Sequence, residues 1–361
     1  MKTKSTCVRI LAVKATTLVP SSAVLALTFL LACGSSSGAT ADGDGGTGSN
    51  PSGGQDSGGS TANDGGTDSS VNDRDTGSSP DGSGTGSHDY GQDGPLTVST
   101  KSESASSGAS TFTVQTFLPS GAGPFPVVVL SSGLQQPAAG YAPYAKRLAS
   151  WGIAAVLRDD PGFGSSSTSL QADVEGLVTT WLATADGGKF DASKVGLAGH
   201  SRGGQVSLLA AENGLLGKNK GLFLLDPVDS SQGGTMARTK VGMLGVPLAM
   251  IGETTDSTGG LGGMSCAPAA DNYQVLYAAA SAPALAITAV NGDHVMFEDP
   301  ASCSFCTLCT AGTANAATVL ATSVRLMTAF FAKNLLGDAS VDATLGTAAD
   351  VAAGTVTVVS K

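Results

Sequence analysis

The chain has 361 residues, of which 41% are apolar, 13% charged and 5% aromatic, with 50 glycines and a formal net charge of -10. That balance excludes a strongly basic nucleic-acid binder and a many-span membrane protein, while the length alone suits two domains. The average conceals three segments. Residues 1 to 33 carry four basic and no acidic side chains, residues 34 to 94 carry one basic against ten acidic, and residues 95 to 361 carry fourteen against nineteen.

Lys2, Lys4, Arg9 and Lys14 precede the apolar run AVLALTFLLA (23 to 32), which stops at Cys33. A charged start followed by a short apolar core reads as an export signal over residues 1 to 32, too short to span a membrane comfortably. The junction Leu30-Leu31-Ala32-Cys33 resembles the lipobox of bacterial lipoproteins. That resemblance implies lipidation of Cys33 and a place in the cell envelope, at the outer membrane or cell surface. An ordinary signal peptide, or an uncleaved anchor, also fits the residues and exports the rest of the chain.

Residues 33 to 94 read as a tether. Between Gly34 and Gly94 stand eighteen Gly, thirteen Ser and ten Asp, with Val71 and Tyr90 the only large apolar side chains. Too little apolar surface is available there to offset the entropy of ordering.

From 95 to 361 the pattern changes to one α/β domain. The runs 126–133, 153–160, 194–201, 221–227, 247–253 and 283–290 are short, continuous and rich in Val, Leu, Ile and Ala. Parallel strands buried on both faces read this way. Helical patterns at 141–151, 170–185, 203–212 and 316–336 alternate with them, which predicts a mostly parallel sheet flanked by helices. Residues 111–118 read as an added antiparallel edge strand. No inserted cap domain is expected, because the connections 161–193 and 227–246 are short.

Gly199-His200-Ser201-Arg202-Gly203 fits G-x-S-x-G, and it falls between an apolar strand and a helical pattern. Small flanking residues permit a tight strand-to-helix turn that presents Ser201 Oγ above the sheet edge. The backbone N–H of Arg202 is then a candidate oxyanion donor, and the Arg202 side chain reads as structural or as part of the pocket rim. Of the three histidines, His88 lies in the tether and His200 neighbours the nucleophile on a tight turn, pointing elsewhere. His294, in the loop after the last parallel strand, remains as the base. Two carboxylates at strand ends, Asp226 and Asp256, both give the chain order Ser, Asp, His. Asp229 and Glu253 are weaker claimants. Arg158 and Asp160 could pair near the following loop, but solvated charges are the expected reading.

At these residues the chain resembles the α/β-hydrolase family, and two groups within it. GHSRGG around Ser201, LDPVD around Asp226, CAP at Cys266 and GDH at His294 resemble chlorophyllases in order and spacing. This resemblance implies Asp226 as the acid. SSGLQQ, RLASWGIAAV and IGETTD resemble cutinase-like and polyester-degrading hydrolases related to dienelactone hydrolases, a pattern that implies Asp256 instead. The longer motif favours Asp226. The family pattern places the second oxyanion N–H at Leu134, although Ser132 stands where the usual histidine of that loop would be.

Cys266, Cys303, Cys306 and Cys309 could complete a tetrahedral zinc site. An exported chain makes disulfides the expected state, with three possible pairings, and no metal or cofactor is expected. The sequence therefore leads to a monomeric serine carboxylic-ester hydrolase acting on an apolar or bulky ester. It is expected to be held at a membrane through Cys33, with no nucleic-acid partner. A tethered binding module without turnover, and an acyltransferase or thioesterase using the same three residues, remain the alternatives.

Overall fold

The computed structural model describes residues 88 to 361 apart from 108–109, 261–264 and 302–308. The expected leader, Cys33, the tether up to residue 87, Cys303 and Cys306 all lie outside the described residues.

Nine strands form one sheet in the order β1-β2-β4-β3-β5-β6-β7-β8-β9. They are β1 (Val98–Ser107), β2 (Ser110–Pro119), β3 (Phe125–Ser131), β4 (Ala154–Arg158), β5 (Phe190–His200), β6 (Asn219–Leu225), β7 (Leu248–Glu253), β8 (Ala284–Ala289) and β9 (Val356–Ser360). The six from β3 to β8 run parallel, and β1, β2 and β9 are antiparallel at the margins.

The six apolar runs read from sequence are these six parallel strands. Their side chains alternate between two cores, so both faces must be apolar. Val128, Leu130, Phe223 and Leu225 enter one core, and Val127, Val129, Leu222 and Leu224 enter the other. Helices α1 (Ala142–Ser150) and α5 (Ala316–Phe331) cover the first face, while α2 (Ser167–Gly176), α3 (Arg202–Glu212) and α4 (Tyr273–Ala279) cover the second. The stretch from Ala316 to Leu336 is long and apolar enough to cross a membrane by composition, but its most apolar part is mostly buried inside the fold. It serves as a core helix. A last short helix, α6 (Ala348–Ala352), leads into β9.

One expected boundary moves. Residues 88 to 94, assigned to the tether, pack on the domain. Tyr90 is buried, its ring meets Trp151 edge-on at 4.8 Å, and its carbonyl accepts a bond of 3.0 Å from Arg147. Trp151 Nε1 donates to the Gln92 carbonyl at 3.0 Å. One aromatic ring with a hydrogen-bonded backbone suffices to dock a segment that composition alone assigns to the linker.

Strand β3 pairs with β4 on one side and β5 on the other, so strand order reverses between β3 and β5. The loops leaving these two strands diverge and open a crevice at the carboxyl edge of the sheet. The loop after β3 begins at Ser132, and the turn after β5 carries Ser201.

Candidate active site

Ser201 sits at the tip of the β5–α3 turn with φ 53° and ψ -122°, backbone angles that a β-carbon disfavours. Two glycines make the turn possible. A β-carbon on Gly199 would lie 2.2 Å from the Gly203 carbonyl oxygen, and one on Gly203 would lie 2.2 Å from that of Ser131. The G-x-S-x-G spacing is thus a packing requirement as well as a motif.

His294 opens a helical turn after β8. Asp293 caps that turn by accepting Val295 N–H at 3.2 Å and holds the adjoining segment by accepting Gly312 N–H at 2.7 Å. The imidazole bridges two groups: Nδ1 is 2.6 Å from Asp226 Oδ2, and Nε2 is 2.9 Å from Ser201 Oγ. Asp226 is fully buried, so its carboxylate fixes the proton on Nδ1 and leaves Nε2 to accept the Ser201 hydroxyl. Burial opposes a charge on His294, but Asp226, with Asp256 and Glu253 beyond it, outweighs that and raises the imidazole pKa above its ordinary value.

Ser201, Asp226 and His294 follow three different strands, and only the sheet brings them together. The arrangement can transfer the serine proton to His294 as the oxygen attacks an electrophile.

The family model described as Chlorophyllase matches residues 88–356. The chain belongs to the chlorophyllase family. It is accordingly a hydrolase of the esterase type, in the general sense of that family, built on the α/β-hydrolase fold. Comparison with curated proteins gave no match.

In this chlorophyllase-family chain, Asp256 makes no hydrogen bond to the imidazole among the described residues and acts on it as a nearby charge. Its Oδ1 accepts N–H groups from Cys266 at 3.2 Å and Thr310 at 3.0 Å. Those donors flank a disulfide between Cys266 and Cys309, so Asp256 ties the loop after β7 to the segment after His294. Asp256, Cys266 and Cys309 are also close enough to share a metal ion, but both sulfurs are spent on the disulfide. Asp229 is committed elsewhere, pairing with Arg238 at 2.8 Å. Glu253 accepts the Thr255 and Asp256 N–H groups, and burial followed by the charge of Asp226 pushes it up to about 7.

Ser201 and His294 open onto a cavity of about 200 Å³, also lined by Leu134, Gln136, Val295 and the disulfide. Leu134, Val295 and the disulfide give it an apolar wall, which suits an apolar group beside the serine. A larger cavity of about 490 Å³ lies between His88–Tyr90 and Ser340–Asp350, and neither Ser201 nor His294 lines it.

Several groups that frame the site carry weak sequence signals. His200 does not simply point away: its Nε2–H donates to the His294 carbonyl at 2.9 Å, which leaves Nδ1 to accept the Tyr141 hydroxyl at 2.7 Å. Burial, with the neighbouring His294 charge, keeps His200 well below its usual pKa and therefore neutral. Glu298 lines the cavity four residues after His294, and burial pushes it up to about 7 against the opposing charge of His294. Arg158 and Asp160 are not solvated. Both are buried; Arg158 pairs with Asp173 at 2.8 Å and Asp160 pairs with Arg202. An acid ending an apolar strand, with an arginine beside the nucleophile, was the available signal, but their contact needs two distant loops.

Proposed function

We propose that this chlorophyllase-family chain is a serine carboxylic-ester hydrolase working through a covalent acyl-enzyme. The observation that carries the reading is the unbroken hydrogen-bonded line from Asp226 through His294 to Ser201. In the first step His294 Nε2 takes the Ser201 proton while Oγ bonds to the ester carbonyl carbon. The backbone N–H groups of Arg202 and Leu134 receive the oxyanion, and each such donor is worth roughly 2.7–4 kcal/mol in the transition state. The imidazolium, stabilised by Asp226, then protonates the departing alcohol. Water repeats the sequence and releases the acid.

The apolar lining supports an ester with an apolar acyl or alcohol part. A binding module without turnover has no need of three residues held in register for proton transfer. Hydrolysis of p-nitrophenyl esters of graded chain length tests the reading. Turnover with fluorophosphonate labelling, both abolished in Ser201→Ala, is the expected result, and failure of wild type to label or turn over rejects it. Export with lipidation at Cys33 is the companion proposal, supported by the lipobox-like junction. Wild type in the membrane fraction and Cys33→Ser in the soluble fraction is the expected partition.

A further inference from the structure

The loop after β3 leaves one backbone N–H unused. Gly133 N–H donates to the Tyr141 hydroxyl at 3.3 Å, Gln135 N–H to Asp160 Oδ1 at 3.3 Å, and Gln136 N–H to the Gly133 carbonyl at 2.9 Å. Leu134 N–H, between two tied neighbours, has no partner among the described residues, and Leu134 lines the cavity. Arg202 N–H, in the first turn of α3, lies beyond the reach of intrahelical bonding. These are the two N–H groups assigned to the oxyanion, and they belong to loops that follow different strands.

One carboxylate joins the two loops. Asp160 Oδ2 accepts Arg202 Nε at 2.7 Å, and Oδ1 accepts the Arg202 terminal nitrogen, Gly162 N–H at 2.8 Å and Gln135 N–H. Asp160 N–H donates to Ser132 Oγ at 2.8 Å, and the Ser132 hydroxyl donates to the Gln136 carbonyl at 2.7 Å. The rest of the Arg202 guanidinium is used on the Ser165 carbonyl at 3.0 Å and the Gly162 carbonyl at 2.8 Å, so this side chain faces a loop instead of the substrate. Gln135 is held at φ 58°, a left-handed conformation that a non-glycine residue keeps only when its surroundings enforce it. Its N–H bond to Asp160 and the Gln136 N–H bond to the Gly133 carbonyl both act on this turn.

We propose that buried Asp160, through its ion pair with Arg202, is the positioning residue that holds the Leu134 and Arg202 N–H groups in place, so that the oxyanion hole is formed before substrate arrives. The inference rests on the serine-esterase reading and adds a residue that never touches substrate. An oxyanion hole stabilises charge only if its donors need no rearrangement at the moment of reaction, and a small misplacement is costly. A carboxylate bonded to both loops supplies that rigidity.

The test compares wild type, Asp160→Asn and the double variant Asp160→Asn/Arg202→Gln, with rates expressed per active site counted by fluorophosphonate. The double variant buries no unpaired charge and so remains informative if the single one fails to fold. Both variants are expected to lose roughly 10- to 100-fold in kcat with KM changed by less than about threefold. Affinity for an alkylboronic acid, which forms a tetrahedral adduct on the serine, is expected to fall in parallel with kcat/KM. A role in folding alone would lower the number of active sites and leave kcat per site and boronate affinity near wild type, and that result overturns the proposal. Wild type that neither hydrolyses esters nor binds the boronate overturns the esterase reading and this inference together. A working wild type whose variants keep both properties overturns the inference alone.

Discussion

His294 and Asp226 stand 68 positions apart in the chain, yet Nδ1 of the imidazole lies 2.6 Å from a carboxylate with no exposure to solvent. Asp256, the other acid at a neighbouring strand end, accepts the N–H groups of Cys266 and Thr310 through Oδ1 and makes no hydrogen bond to the imidazole among the described residues. Asp226→Asn is therefore expected to lower kcat by about 10⁴-fold, the scale seen when a triad aspartate becomes an amide and the imidazole takes the wrong tautomer. Asp256→Asn keeps an acceptor oxygen and is expected to hold kcat within about threefold while lowering the melting temperature. Steady-state kinetics of the two variants decide it, and a loss confined to Asp256→Asn reverses the assignment.

The rate should depend on pH through His294, which must be neutral to take the serine proton. Its pKa is raised, because the bond and charge of Asp226, with the charges of Asp256 and Glu253, outweigh the opposing effect of burial. Activity is thus expected to fall as pH drops through a midpoint above the ordinary histidine value of about 6.5. Glu253→Gln removes one of the stabilising charges and should move that midpoint to lower pH. A kcat/KM profile for each protein measures the shift, and an unmoved or upward-moved midpoint contradicts it.

The Cys266–Cys309 bridge closes a sequence separation of 43 that includes β8 and His294. Chain-entropy arguments put the worth of such a bridge at about 4 kcal/mol. Reduction, or Cys266→Ser with Cys309→Ser, should lower the melting temperature by roughly 5–15 °C. Because both cysteines line the cavity beside the serine, activity should fall as well. Calorimetry and ester hydrolysis with and without reductant make the comparison.

Three buried carboxyls should make stability decline as pH rises from about 4.3 to about 8. Glu212 is pushed up to about 8 by burial and then by Asp229, and Glu253 and Glu298 to about 7, chiefly by burial. A carboxyl whose folded pKa is raised binds more protons folded than unfolded between about 4.3 and its folded value. Its contribution is complete below that window and is lost as pH rises through it. The melting temperature is expected to be lower at pH 9 than at pH 5, and Glu212→Gln should narrow the gap. Melting curves in which Glu212→Gln leaves the gap unchanged remove Glu212 as a cause.

The sheet was legible where burial is two-sided. The strands β3 to β8 are apolar on both faces and therefore appear as continuous runs, whatever their neighbours. β1 was missed because most of its residues are exposed and polar, so that its pairing with β2 is backbone bonding without an apolar signature. The short β9 at the other margin escaped for a related reason. Tyr90 shows the same limit from the other side: one ring in a Gly-Ser-Asp stretch docks because Trp151, Arg147 and Asp338, all distant in the chain, receive it.

By itself the sequence determined the strand and helix alternation and the place of Ser201 on a tight turn, because local pattern suffices for these; the two premises that singled out His294, His88 in a tether and His200 pointing away, are not kept by the fold. Only the tertiary structure decided which acid meets His294, which cysteines pair among those described, and that Asp160 joins Arg202 and the loop after β3. Those are contacts between loops leaving different strands. Spacing along the chain says that two strand-end residues share an edge of the sheet, but strand order and the packing of each loop decide which of them face one another.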